Sequence, residues 1–182
     1  MRNTFYKSAV RPLKSGAVCV IPTDTLYGLV ALAADMDAVE RVYAIKRRDS
    51  RKPCIILISD IETVGLFGVS LNEDEKEFLN EYWPGPNSII LDAESGPEYL
   101  TRGSGTLAFR VPADNDLRLF LKETGPLVAP SANLEGMRPA VSVSEARLYF
   151  GDTVDLYIDA GRKDGPPSSL FRFEDGRLIN LR

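Results

Sequence analysis

The sequence predicts an α/β layer architecture built on a mixed sheet. Three observations carry this. Short apolar, β-rich runs alternate along the chain with helix-period patterns. The last runs follow one another without an intervening helix, which a purely parallel sheet does not allow. The chain has 182 residues, 44% of them apolar and 26% charged. A single globular unit of that size buries roughly 70% of its unfolded surface without disulfide or metal staples.

The elements follow in order. An opening helix is suggested by Ala9, Val10 and Leu13, although Pro12 interrupts it. Residues 17–21 form a continuous apolar run, as expected for a strand covered on both faces. Asp37-Ala38-Val39-Glu40 has capping-box spacing. It opens a helix with Val39, Val42, Tyr43 and Ile45 inward, ending near residues 46–48. Residues 54–58 form the next buried strand. Ser70-Leu71-Asn72-Glu73 opens another helix, stopped by Trp83-Pro84-Gly85-Pro86. Residues 88–91 and 106–111 read as strands. A helix carrying Leu117, Phe120 and Leu121 closes at Gly125-Pro126, before a short strand at 127–129. Ser142-Val143-Ser144-Glu145 caps a helix through Tyr149. Strands at 156–158, 169–173 and 178–181 complete the series. No repeat, low-complexity tract or linker divides the chain, so one domain over residues 1–182 is expected.

Composition removes several chemistries. The sequence contains no histidine, which excludes Ser-His and Cys-His nucleophiles and every His-containing metal site. The two cysteines, Cys19 and Cys54, lie in apolar runs and read as reduced, buried thiols of a cytosolic protein. No apolar run is long enough for a membrane span. The N-terminus lacks an apolar h-region, so a cytoplasmic location without membrane attachment is expected. The formal charge is −4, against a dedicated nucleic-acid binder. Yet between positions 41 and 52 the cations Arg41, Lys46, Arg47, Arg48, Arg51 and Lys52 face Asp49 alone, a local +5. A cationic spot on an acidic chain points to one anionic ligand.

Three further segments, beside the Lys46–Arg48 end of that cationic stretch, have chemistry to offer. Ile21-Pro22-Thr23-Asp24-Thr25-Leu26-Tyr27-Gly28 follows a buried strand, where open α/β sheets place ligands. In extended backbone Thr23 and Thr25 share one face and Asp24 takes the other. Pro130-Ser131-Ala132-Asn133 stands at the end of another strand. Thr106 and Arg110 share a strand, and an Arg in an apolar strand needs an anionic partner or a wet cavity. Lys46 and Arg48 pair a point charge with a forked donor, as suits phosphate. The alternative for each is plain structure: a turn whose side chains satisfy backbone groups, or a solvated basic helix end. No Walker A spacing occurs.

Taken together, Pro-Thr-Asp-Thr-x-Tyr-Gly-Leu, Lys-x-Arg with Pro53 beyond, Trp-Pro-Gly-Pro, Arg-Val-Pro, Ser-Ala-Asn and a late Ser-Ser occur in one order. This set resembles the YrdC/TsaC family of threonylcarbamoyl-AMP synthases, from about Gly16 to Arg182. The resemblance implies a twisted mixed sheet with flanking helices and a concave, positively charged cavity. It implies L-threonine, bicarbonate and ATP as substrates, joined into threonylcarbamoyl-adenylate with release of pyrophosphate. The product serves the threonylcarbamoyl modification at position 37 of tRNA, through a downstream transferase complex. Mg²⁺ is implied on the ATP phosphates, and no protein metal site.

By this resemblance Lys46 and Arg48 hold ATP phosphates and are the catalytic residues. Thr23, Thr25, Thr106 and Arg110 bind threonine, while Ser131, Asn133, Ser169 and Arg182 contact nucleotide. Direct affinity for double-stranded RNA or tRNA is the alternative role, as is a paralogue with another acyl-adenylate substrate. The sequence departs from the family pattern at Asp49, where Pro is usual, at Asn87-Ser88, and at Ala113-Asp114-Asn115, where many relatives carry a nearby His. The further C-terminal domain of longer relatives is expected to be absent.

Overall fold

The computed structural model describes residues 5–181. One nine-stranded mixed sheet organises them. Its strands are β1 (Cys19–Pro22), β2 (Tyr27–Leu32), β3 (Ile55–Leu57), β4 (Asn87–Asp92), β5 (Thr106–Arg110), β6 (Leu127–Val128), β7 (Leu156–Tyr157), β8 (Ser169–Glu174) and β9 (Arg177–Asn180). The spatial order is β7-β1-β2-β6-β3-β5-β4-β8-β9. Pairs β1·β7, β3·β5 and β4·β8 are parallel and the rest antiparallel. The six principal helices are α1 (Lys7–Lys14), α2 (Met36–Lys46), α3 (Glu73–Asn80), α4 (Glu98–Thr101), α5 (Asn115–Thr124) and α6 (Val143–Phe150).

Alternation along the central strands divides the core into two layers. Cys19, Ile21 and Val30 point to one face, where Ala9 and Leu13 of α1 and Leu117, Phe120 and Leu121 of α5 cover them. Val20, Leu29 and Ala31 point to the other, beneath Val39 and Val42 of α2 and Ala146 of α6. Burial on both faces explains why the strands read as unbroken apolar runs.

Several expectations are adjusted. The helix opening at α2 is capped by Asp35, whose carboxylate accepts from the Ala38 amide at 3.0 Å. Asp37 lies instead in the first turn, where the helix dipole favours it. The capping box of α3 is Asn72 with Glu75, two residues later than the Ser70–Glu73 spacing suggests. Ser142 does cap α6, accepting from the Glu145 amide. Helix α1 forms despite Pro12, because Ala9 and Leu13 are fully buried and the Tyr6 ring stacks on Phe120 at 5.0 Å. In so short a helix packing outweighs the missing rung.

Strand β2 was not expected. Gly28 and its alanines are poor strand formers, yet β1 and β6 flank the segment and pair with it on both sides. The consequence falls on the Thr-Asp-Thr motif. With Pro22 paired to Tyr27, residues 23–26 are a hairpin loop and not an extended stretch. The loop closes with the Thr23 amide on the Leu26 carbonyl at 2.9 Å.

Candidate active site

A cavity of about 380 Å³ opens over the sheet, lined by the hairpin loop, Arg48, Ile55, Arg110, residues 129–131 and 133, and Ser168 and Leu170. Thr23, Arg110 and Ser131 stand at or after the carboxyl ends of β1, β5 and β6, as open sheets favour. Tyr27, Ile55 and Leu170 enter at the amino ends of β2, β3 and β8. Arg48 and Arg110 are the charged lining residues, and the lining includes no Asp or Glu.

The hairpin loop orders its own hydroxyls. Thr23 is buried. Its Oγ1 donates to the Leu26 carbonyl at 2.7 Å and accepts from the Thr25 and Leu26 amides. The Thr25 hydroxyl lies 3.2 Å from it. Thr23 therefore shapes the loop, and Thr25 is the better placed of the two to meet a ligand.

Arg110 finds the anionic partner its apolar strand demands in Asp24. Its Nη2 donates to Asp24 Oδ1 at 3.0 Å, with both side chains 6% exposed. The other Asp24 oxygen accepts from the Ala113 amide. Burial pushes the Arg110 guanidinium down from its ordinary value, while Asp24 opposes the shift. This pair presents fixed donors to the cavity with little net charge. Arg110 Nε is buried and has no hydrogen-bond partner among the described residues.

The second charged lining residue, Arg48, comes just after the α2 terminus. Arg47 closes the helix in the left-handed conformation, φ 53°, which turns the chain so that Arg48 faces the cavity. Arg48 is held by its own loop: Nε donates to the Lys52 carbonyl at 3.0 Å and Nη2 to the Pro53 carbonyl at 2.9 Å.

Lys46 behaves differently from the exposed side chain expected of a phosphate ligand. It is 3% exposed and does not line the cavity. Its ammonium donates to the carbonyls of Ser131 (2.7 Å) and Asn133 (2.8 Å) and to Asn133 Oδ1 (3.0 Å). Three donors meet three oxygens, which uses its full capacity. Burial, then the Arg48 charge, lowers its pKa to about 8.

Asn133 is saturated in the same way. Its Oδ1 also accepts from Ser131 Oγ at 2.7 Å, and its Nδ2 donates to the carbonyls of Leu134 and Met137. Its side chain thus builds the turn, which brings residues 130–133 to the cavity wall.

The remaining expected residues divide. Thr106 begins β5, roughly 13 Å along the strand from Arg110, beside Ser104, and is not among the lining residues. Of the late Ser-Ser pair, Ser168 lines the cavity and pairs with Ser88 at 3.0 Å, whereas Ser169 takes up the β8 ladder. Arg182 lies outside the described residues.

Sequence reasoning passed over Asp24 as a partner, Tyr27 as an anchor and Glu135 altogether. The Tyr27 hydroxyl donates to the Gly161 carbonyl at 2.7 Å and accepts from the Ala160 amide at 2.9 Å. It thereby fixes the segment that brings Pro167 and Ser168 over the cavity. The only available signal was the oddity of an Arg within a strand, which required a carboxylate somewhere.

Among the described residues no group of three or more Asp, Glu or Cys is placed to hold a metal. Also among the described residues, no helix is long and apolar enough to cross a membrane.

Comparison with known proteins identifies the family and the fold. A model of the Sua5/YciO/YrdC family, described as telomere recombination, matches residues 11–182. A threonylcarbamoyl-AMP synthase of Chromohalobacter salexigens is 33% identical over 174 residues, covering 94% of each chain. One from Pyrococcus abyssi is 32% identical over 173 residues, covering 93% of this chain and 51% of its own. The crystal structure of Pyrococcus abyssi Sua5 complexed with L-threonine superposes with a TM-score of 0.89 at 28% identity, covering 100% of this chain and 54% of that one. This chain therefore spans about half the length of the Pyrococcus abyssi protein. Escherichia coli YciO shares the fold, with a TM-score of 0.86 at 22% identity over 100% of this chain and 89% of its own. The chain belongs to the Sua5/YciO/YrdC family.

Proposed function

We propose that this chain is an L-threonylcarbamoyladenylate synthase, a nucleotidyltransferase acting on ATP, L-threonine and bicarbonate. The observation that carries the reading is the cavity itself. Its charged lining is cationic, and it is assembled from the ordered motifs of a family whose relatives include named synthases.

The chemistry asks little of the protein's own acids and bases. The threonine amine, as the free base, forms a C–N bond to the bicarbonate carbon while the C–OH bond breaks, and water leaves with one amine proton to give the carbamate. A carbamate oxygen forms a bond to the α-phosphorus, the α–β bridging bond breaks, and pyrophosphate leaves with the electron pair. No covalent enzyme intermediate occurs, which fits a chain without histidine. Such transfers depend on alignment and on neutralising phosphate charge. In this reading Arg48 supplies the net charge for the triphosphate. Arg110, oriented by Asp24, receives the threonine carboxylate. Thr25 and the Ser131 turn complete the wall, and Lys46 holds that turn from behind. The product would feed threonylcarbamoylation of tRNA.

Incubation of purified protein with the three substrates should yield threonylcarbamoyl-adenylate by mass spectrometry. Pyrophosphate release that ignores threonine would overturn the proposal.

A further inference from the structure

Glu135 lies outside the cavity lining, and none of the motifs includes it. Yet it touches three points of the segment that presents Arg48. Its Oε2 accepts from the Asp49 amide at 2.6 Å. Its Oε1 accepts from the Lys52 ammonium at 2.9 Å. Its own amide donates to the Lys46 carbonyl at 3.0 Å. The Lys52 ammonium and the Asp49 amide together hold its carboxyl below the ordinary carboxylate range.

The position of these bonds matters more than their number. Glu135 follows the Ser131–Asn133 turn by two residues, so its bonds tie one wall of the cavity to the other. Lys52 is held by Glu135 through its side chain, while its carbonyl receives Arg48 Nε and the Tyr43 hydroxyl. The Asp49 amide is the next backbone donor after Arg48. The guanidinium is thus bracketed by two residues that Glu135 fixes. The Lys46 ammonium forms a second tie between the same two walls. A flexible Arg loses entropy when it grips an anion, and one already held loses less. The Asp49 contact also needs a backbone N–H, which proline at that position would lack.

We propose that Glu135 is a positioning residue that presets Arg48 for the triphosphate by clamping the basic loop to the Ser131–Asn133 turn. The inference rests on the ATP-dependent reading given above. The clamp is tested with ATP binding measured by calorimetry on the full chain, separately from turnover. Glu135→Ala should weaken ATP binding about tenfold, the loss of roughly one charge-assisted hydrogen bond. Turnover should show a raised KM for ATP, with kcat at saturating ATP within about threefold of wild type. Amide exchange at Asp49 should accelerate, while the β5 amides stay protected. Glu135→Gln keeps an acceptor for the Asp49 amide and should recover part of the affinity. Lys52→Met removes only the partly exposed ion pair and serves as a milder second variant, with a smaller loss of the same kind.

Wild-type ATP affinity in Glu135→Ala overturns the clamp and leaves the proposed activity standing. Weakened ATP binding in a protein that forms no adenylate supports the clamp and counts against the activity. A wild-type chain that binds no ATP overturns both. Should Glu135→Ala fail to fold, Glu135→Gln and Lys52→Met decide, and wild-type affinity in both overturns the clamp.

Discussion

Lys46→Met separates a ligand from a strut. The substitution keeps the volume of the stem and removes the ammonium. The Ser131 and Asn133 carbonyls lose their bonds at 2.7 and 2.8 Å, whereas Asn133 Oδ1 keeps the Ser131 hydroxyl. Each abandoned buried acceptor costs about 1–3 kcal/mol. The opposing gain is relief from burying a charge. Depression of the Lys46 pKa from an ordinary 10.5 to about 8 bounds that gain near 3 kcal/mol, at about 1.4 kcal/mol per unit. With two acceptors costing about 4 kcal/mol together at mid-range, the balance is a loss of at least about 1 kcal/mol, or a Tm lowered by about 2–4 °C or more for a chain of this size. The pH dependence has a definite sign. Because the folded pKa lies below the unfolded one, the unfolded chain holds more protons between about pH 8 and 10.5, and this group adds stability as pH rises through that window. The methionine variant lacks that gain, so its Tm deficit should widen from pH 7 to pH 10. Differential scanning calorimetry at both pH values reads this. A variant as stable as wild type at pH 7, with no widening, would refute the strut.

Arg48→Ala should do the reverse, lowering turnover roughly 100-fold, about 3 kcal/mol of transition-state stabilisation, while Tm moves by less than about 2 °C; a pyrophosphate-release assay beside a thermal melt checks both. Asp24→Ala leaves Arg110 buried and uncompensated, and should cost about 3–5 kcal/mol in urea unfolding; a loss under about 1 kcal/mol would mean the pair is not desolvated. Tyr27→Phe removes the oxygen shared by Ala160 and Gly161. Proteolysis within residues 159–168 should quicken, and threonine and ATP should bind more weakly; an unchanged cleavage rate would show that the segment is fixed by other contacts.

Much of the fold was written in the sequence, because burial on both faces leaves a local trace. The unbroken runs at Cys19, Ile56 and Phe109 announce strands sealed above and below. Arg110 inside such a run announced a partner without saying which. What stayed illegible depends on pairing between distant segments. The same residues 27–32 that look indifferent alone become β2 when β1 and β6 flank them, and this alone turns Thr23–Thr25 from an extended face into a hairpin loop. Two of the three expected caps slid by two residues for a related reason: neighbouring Asp, Ser and Asn side chains offer nearly equivalent caps, and packing of the helix face selects among them.

The residue types and their order determined that this chain builds an α/β sheet, and that whatever chemistry it performs uses no histidine. Only the tertiary structure decided which cations face the cavity. Lys46 and Arg48 stand two residues apart and look alike in sequence. The left-handed turn at Arg47 sends one into the cavity, while the carbonyls of Ser131 and Asn133, some 85 residues away in the chain, draw the other into the wall. A lysine's role follows from where its three protons find oxygen, and chain neighbours alone do not specify that.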